Sequence, residues 1–166
     1  MRFICDAMLG KLAKYLRILG FDTVYMKNIS RSHIDTTVAD PVYILTRNRT
    51  FTGLQKTVVL KSNDIMGQLG ELTELIKTCI EVDQIMSRCI VCNAKLADVH
   101  KSDIEQRVPE FIFHLHEEFK TCPKCNRVYW EGSHAEHMTG RVEEIMGIRL
   151  RKRQKKEKPE SSKDGR

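Results

Sequence analysis

The sequence predicts an α/β fold with a mostly parallel sheet, followed by a small cysteine-rich module. Two observations carry this prediction. In the N-terminal half, short apolar runs typical of strands alternate with segments of helical periodicity, the order found in parallel sheets whose faces are covered. From Arg88 onward, two C-x-x-C pairs flank a polar insert. We therefore expect a first domain at residues 1–84, a second with a closing helix at 85–148 and a disordered basic tail at 149–166.

The N-terminal half divides into four strands and two helices. The first strand ends at Asp6, and Gly20 is suited to ending the helix that follows it. The strand segments, in order, are RFICD, FDTVYM, PVYIL and TVVLK. The helical segments, in which apolar residues recur at intervals of three or four, are MLGKLAKYLRILG and NDIMGQLGELTELIKTCI. The connection NISRSHIDTTVAD, between the second and third strands, fits either a short helix or a loop.

The positive charge of the chain is concentrated at its C-terminal end. The segment from Arg149 to Arg166 contains nine Lys/Arg and three Asp/Glu, which accounts for the entire formal charge of +6. It has almost no apolar residues to bury, so it is expected to be disordered. Two roles stay open for it: a solvated tail that aids solubility, or an electrostatic arm that holds a phosphate backbone weakly.

The hydropathy of the chain argues against a membrane protein. No apolar run reaches the length of about eighteen residues that a membrane-spanning helix needs. The first segment, MRFICDAMLGKLAKY, brings in charged residues too early for the apolar region of a signal peptide. These features favour a cytoplasmic protein without a membrane span.

Four of the six cysteines form two C-x-x-C pairs, Cys89 with Cys92 and Cys122 with Cys125. In a chain without a secretory signal, this pattern favours metal binding over disulfides. Two such knuckles complete a tetrahedral set of thiolates for Zn²⁺, and no position is left for water, so the predicted site is structural. The alternative is a redox-active pair, which usually lies at the start of a helix.

Oxygen-bearing side chains follow the predicted strands, where parallel sheets gather their chemistry. Asp6 ends the first strand, Asn48 follows the third and Asp64 follows the fourth, while Asp35 lies in the connection before the third. Such oxygen ligands suit Mg²⁺ or Mn²⁺, which lower the pKa of a bound water and neutralise charge on a phosphate. The alternative is that Asp6 and Asp64 cap helices and that Asp35 is a solvated loop residue.

Two blocks of the sequence resemble a known family. FICDAMLGKLAKYLRILGFDTVY and ILTRNRTF resemble the start of the Mut-seven C-terminal RNase family, which is PIN-like, and RCIVCNAKL, RVPEF and FKTCPKCNRVYWEGSHAEHM resemble the zinc ribbon joined to it. The resemblance implies a three-layer α/β/α domain and metal-dependent cleavage of RNA. It matches Asp6 to the family's first aspartate and places Asn48 where an aspartate is typical. Asp35 and Asp64 would match the remaining acidic positions.

The leading hypothesis is therefore a ribonuclease that holds Mg²⁺ or Mn²⁺ at Asp6, Asp35, Asn48 and Asp64, with structural Zn²⁺ in the ribbon. The alternative is an RNA- or ribosome-associated binding module without cleavage, because Asn48 supplies no negative charge. A third class is a protein-interaction adaptor in which the ribbon docks a partner. A homodimer is left open.

Basic side chains beside these positions are candidates for RNA contacts. Arg47 and Arg49 flank Asn48 and are suited to phosphate contacts. Lys11 lies with Lys14 and Arg17 on the polar side of the first helix. For these three residues, the competing interpretation is a solvated helix face.

Overall fold

The N-terminal half is built on a four-stranded parallel sheet with the strand order β2-β1-β3-β4. The computed structural model describes residues 1–30, 42–130 and 132–149. The strands are β1 (Arg2–Cys5), β2 (Asp22–Tyr25), β3 (Val42–Thr46) and β4 (Thr57–Val59). Since β1 pairs with both β2 and β3, it is central, and its carboxyl end lies beside theirs. The predicted α/β fold with a parallel sheet is confirmed.

The α-helices of the described residues are α1 (Gly10–Ile18), α2 (Ile65–Ile76), α3 (Glu110–Leu115) and α4 (Ser133–Met146). The predicted stop of α1 is present, because Gly20 has a φ of 90°, in the left-handed region that glycine adopts without a steric penalty. None of these helices is long and apolar enough to cross a membrane.

Helices α1, α2 and α4 share one core with a face of the sheet. Side chains alternate along a strand, so Phe3 and Cys5 of β1 point to the same face, and both are fully buried. The helical residues in this core include Leu12, Leu16, Leu69, Leu72, Val142 and Met146. Ile44, which points to the opposite face, is only 1% exposed, so that face is also covered at β3.

Helix α4, which follows the cysteine-rich segment, packs into the core of the N-terminal half. Val142 and Met146 pack with residues of α1, α2 and the sheet, although α4 follows the cysteine-rich segment in sequence. The limits 1–84 and 85–148 stay a prediction, with α4 contributing its apolar side chains to the core of the first half. The connection from residue 31 to 41, which contains Asp35, and the tail from residue 150 lie outside the described residues.

The cysteine-rich segment, which we call the ribbon, contains both C-x-x-C knuckles and a three-stranded antiparallel sheet. Its strands are β5 (Ala97–Val99), β6 (Phe119–Thr121) and β7 (Val128–Trp130), in that order. The polar insert between β5 and β6 is folded, as a 3-10 helix at Lys101–Arg107 followed by α3. The buried core of the ribbon consists of Ile104, Ile112 and Phe119, a small number for an independent unit.

Candidate functional site

The four predicted zinc ligands converge on one point. Their sulfur atoms all lie within 4.8 Å of one another, with Sγ–Sγ distances of 3.6 Å for Cys89 and Cys125 and 3.3 Å for Cys92 and Cys122. A tetrahedron of thiolates about 2.3 Å from Zn²⁺ has sulfur–sulfur edges of about 3.8 Å. The cluster can therefore hold a metal ion, and its donor set suits zinc.

Both knuckles use the same backbone turn. The amide of Cys89 donates to the carbonyl of Ala94, and the amide of Cys122 donates to that of Arg127, at 2.8 and 2.9 Å. The residue after each second cysteine, Asn93 or Asn126, has a φ of 67° or 57°. Asparagine tolerates this left-handed conformation better than most residues. The repeated pattern C-x-x-C-N was thus a signal for the turn that the sequence analysis missed.

The sulfur cluster has uneven proton affinities. Burial raises the pKa of Cys89, but hydrogen bonds from the Tyr129 hydroxyl, 3.0 Å away, and from the knuckle backbone outweigh it and lower the pKa to about 6. Burial, together with hydrogen bonds shared with the neighbouring thiols, raises the pKa of Cys92 to about 12. Crowded thiols resist joint deprotonation, and a bound cation removes that penalty.

Arg17 of α1 joins the first knuckle to the parallel sheet. Its Nη1 donates to the carbonyls of Ile90 and Val91, at 2.8 and 2.9 Å, and its Nε donates to the carbonyl of Thr23 at 2.9 Å. Arg17 is only 6% exposed. The interpretation of Arg17 as part of a solvated helix face is therefore wrong, because the ribbon covers its end of α1. Lys11 and Lys14, on the same helix, are exposed as expected.

A second contact fixes the first knuckle beside β2. The side chain of Asn93 donates to Asp22 at 2.6 Å and accepts from the amide of Thr23 at 3.0 Å. The left-handed asparagine of this knuckle thus pairs with an edge strand of the parallel sheet. Together with Arg17, this contact positions the ribbon relative to the sheet.

Asp6 lies at the carboxyl end of β1 and is 9% exposed. Its Oδ1 accepts from the amide of Met8 at 2.9 Å, which makes it the N-cap of a 3-10 turn. Its Oδ2 accepts from the amide of Arg47 at 3.1 Å and from the hydroxyl of Thr46. The capping role considered from sequence is present, and the carboxylate also ties β1 to β3.

Asn48 lies on the same edge of the sheet. The backbone amide of Asn48 donates to Thr46 Oγ1 at 3.0 Å, so the Thr46 hydroxyl connects Asn48 with Asp6. The side-chain Oδ1 of Asn48 accepts from the amide and the hydroxyl of Thr50, at 3.0 and 2.8 Å. We call this region, formed by Asp6, Thr46, Arg47 and Asn48, the Asp6 edge.

Asp64 is the N-cap of α2. Its Oδ1 accepts from the amide of Gly67 at 2.9 Å, and this hydrogen bond lowers the pKa of the carboxyl group. Among the described residues, the four cysteines are the only group of three or more His, Cys, Asp or Glu side chains close enough to share a metal ion. Asp35 lies outside these residues, so the acidic set of Asp6, Asp35, Asn48 and Asp64 stays a prediction.

The basic candidates differ in their surroundings. Arg47 is partly buried, its Nη2 donates to Asn63 Oδ1, and its Nε is buried without a hydrogen-bond partner among the described residues. Arg49 and Lys11 are exposed. The backbone amide of Arg47 lies at the Asp6 edge and Arg49 follows Asn48 in sequence, and a phosphate contact by either side chain remains a prediction.

One comparison with known proteins identifies a family for this chain. A family model described as the Mut7-C RNAse domain matches residues 1–142, which include the parallel sheet, the Asp6 edge and the whole ribbon. Neither a search of curated proteins nor a search of solved structures finds a significant match. Since the matched region covers most of the chain, this protein belongs to the Mut7-C RNAse domain family.

Proposed function

We propose that this chain is a divalent-metal-dependent ribonuclease of the PIN-like type, with a structural zinc ion in its ribbon. The observation that carries the proposal is the position of Asp6, a nearly buried carboxylate at the carboxyl end of the central strand. Membership of an RNase domain family supports hydrolysis of RNA as the reaction. The homodimer considered from sequence gains no support and is not part of the proposal.

At the Asp6 edge, the residues of the chain would hold the cation and orient the phosphate. Asp6 would be the principal oxygen ligand, helped by the amide oxygen of Asn48 and by Asp35 and Asp64. A bound Mg²⁺ or Mn²⁺ supplies a water of lowered pKa and neutralises phosphate charge. The donors from Thr46 and Arg47 keep the Asp6 carboxylate in one orientation. The guanidinium groups of Arg47 and Arg49 would contact the RNA backbone.

The four thiolates would hold zinc for a different purpose. Four thiolates would occupy all four coordination positions of a tetrahedral ion, so no position would remain for a reacting water. The ion would instead stabilise a ribbon whose apolar core is small. This division assigns cleavage to the parallel sheet and structural stability to the cysteine cluster.

A second candidate function is RNA binding without cleavage. It is favoured by Asn48, which supplies no charge and whose Oδ1 already accepts two hydrogen bonds from Thr50. A carboxylate set that has lost one charge holds a divalent cation more weakly. In this case, Arg47 and Arg49 would still contact phosphate, and Asp6 would serve only as a cap and a link between strands.

Cleavage of end-labelled single-stranded and structured RNA distinguishes the two functions. The zinc-loaded wild type is assayed with added Mn²⁺ and without it, beside Asp6→Asn and the control Asp98→Asn, an exposed carboxylate on β5. The nuclease predicts Mn²⁺-dependent cleavage that Asp6→Asn abolishes and Asp98→Asn retains. RNA binding without cleavage, equal in all three proteins, would instead establish the second function.

The thermal stability of Asp6→Asn must be measured as well, so that a loss of cleavage is not mistaken for unfolding. An amide at position 6 brings its NH₂ group towards backbone donors that now meet a carboxylate, so a modest loss of stability is expected. The assay temperature should therefore lie well below the unfolding transition of the variant. Loss of cleavage with retained folding would then be a chemical effect.

A further inference from the structure

A shallow, open groove of about 350 Å³ lies on the ribbon, and none of the residues of the Asp6 edge lines it. Its walls include Arg107, Asn126, Arg127, Tyr129 and Trp130. We propose that this groove binds an unpaired nucleotide of single-stranded RNA, with the base stacked on an aromatic ring and the phosphate held by arginine. The inference rests on the proposed function only in taking RNA as the ligand.

The charges of the groove favour an anionic ligand. Arg107 and Arg127 are both exposed, and no described acidic side chain contributes to its walls. The Nη2 of Arg107 donates to Thr121 Oγ1, at 3.3 Å, and to the carbonyl of Asn126, so this guanidinium group has a defined position. Arg127 forms no ion pair with the described residues. Two cations without a carboxylate between them suit a phosphate backbone.

The two aromatic side chains of the groove are fixed by contacts with the interior of the ribbon. The hydroxyl of Tyr129 lies 3.0 Å from Cys89 Sγ, and Trp130 packs against the small core formed by Ile104, Ile112 and Phe119. Both side chains remain partly exposed. A ring fixed in this way loses little conformational entropy when a base stacks on it. Stacking does not depend on which base is present, because every base has an aromatic face.

The combination of cations and aromatic rings selects the class of nucleic acid. Bases in a duplex are stacked on one another and cannot present their faces to a protein side chain, whereas bases of a single strand can. The volume of the groove is at the low end of the range for small-ligand sites, as expected for one nucleotide rather than a helix. Because the groove adjoins the second knuckle, its walls depend on the same turn that presents Cys122 and Cys125.

Trp130 provides a direct probe, since it is the only tryptophan of the chain. The full-length, zinc-loaded protein is titrated with a short single-stranded oligouridylate in the absence of added Mn²⁺ or Mg²⁺. Tryptophan fluorescence and the anisotropy of the labelled RNA are followed together, and a duplex of matched length is titrated in parallel. We expect saturable fluorescence quenching by the single strand, with the same midpoint as the anisotropy change, and little quenching by the duplex.

Arg127→Ala tests the phosphate contact, and Lys124→Ala is its matched control. Both variants remove an exposed cation: Lys124 lies within the second knuckle and Arg127 lies just after it. Only Arg127 lines the groove. We expect Arg127→Ala to weaken binding about tenfold and to lower the slope of log affinity against log salt by about 0.7, the value for one phosphate contact on a single strand. Lys124→Ala should change the affinity by less than about twofold. The basic tail is present in all proteins and contributes equally.

Three results would overturn the inference: RNA binding that leaves Trp130 fluorescence unchanged, equal weakening by the two variants, or no binding of single-stranded RNA. The failure of the nuclease proposal is separate, because the titration requires no cleavage. RNA that quenches Trp130 in this titration but stays uncut in the cleavage assay with Mn²⁺ would support the groove while removing the enzyme. Cleavage by a protein whose groove variants bind normally would do the reverse.

Discussion

The sulfur cluster and the Asp6 edge differ in what their ligand atoms do without a metal. In the ribbon, four sulfurs face one another and share weak hydrogen bonds, so a cation is the partner that satisfies them all. At the Asp6 edge, the carboxylate of Asp6 and the amide of Asn48 already accept backbone hydrogen bonds. The first arrangement is incomplete without its ion, whereas the second is a stable edge to which a cation would be added.

This difference indicates how each site depends on the fold. A C-x-x-C knuckle is made by a few consecutive residues, and its local turn alone brings the two sulfurs of the pair together. The acidic set must be brought together from the ends of separate strands. Zinc is therefore expected to be tightly held and to contribute to folding, and the second cation to exchange readily.

The largest expected effect is that of losing one sulfur ligand. Cys122→Ser should abolish stoichiometric zinc binding and unfold the ribbon, since zinc binding to small modules supplies on the order of 10 kcal/mol. Metal analysis of the purified protein and circular dichroism measure the two effects. Cys79→Ser, which changes a partly buried cysteine outside the cluster, should retain one zinc per chain. Equal zinc content in both variants would remove the cluster as the metal site.

The next effect concerns the joint between the two regions. Arg17→Met removes three hydrogen bonds and leaves the carbonyls of Ile90, Val91 and Thr23 without these donors. We expect the free energy of unfolding to fall by about 3 kcal/mol, as for other buried bonds to charged groups. Urea denaturation measures the change. Lys14→Met is the matched control, because Lys14 is exposed on the same helix. Equal stability of the two variants would show that Arg17 does not secure the ribbon.

The sequence was informative where the relevant contacts are local. Hydrophobic periodicity predicted the parallel sheet and the first two helices, and cysteine spacing predicted the sulfur cluster. Arg17 could not be assigned in this way, because its charge and position on α1 are those of a solvated residue until the first knuckle covers it. The same limit applied to α4, whose Val142 and Met146 return to a core built from residues between Phe3 and Ile76, far earlier in the chain.

The Asp6 edge was predictable only in part. That Asp6 and Asn48 lie together follows from their positions after adjacent parallel strands. The Thr46 hydroxyl that connects them could not be inferred, because whether it points towards Asp6 depends on the pairing of β1 with β3. Asp64 was correctly considered as a helix cap, and the hydrogen bond from Gly67 gives it that role.

A smaller effect is expected from restoring a carboxylate at position 48. Asn48→Asp should tighten Mn²⁺ binding about tenfold, because it adds one negative charge at a residue that the Thr46 hydroxyl links to Asp6. Isothermal titration calorimetry measures the change in affinity. Gln106→Glu adds the same charge on an exposed part of the ribbon insert and should leave the affinity unchanged. An Asn48→Asp affinity equal to that of the wild type would place position 48 outside the cation site.

The central claim, that the chain holds an exchangeable catalytic cation at Asp6 beside a permanent one in the ribbon, is tested most directly by Mn²⁺ binding. Electron paramagnetic resonance of free Mn²⁺, during titration of the zinc-loaded protein, counts the bound ions. We predict one Mn²⁺ per wild-type chain and none for Asp6→Asn at the same concentrations, with unchanged zinc content in both proteins. Equal Mn²⁺ binding by the wild type and Asp6→Asn would contradict the account.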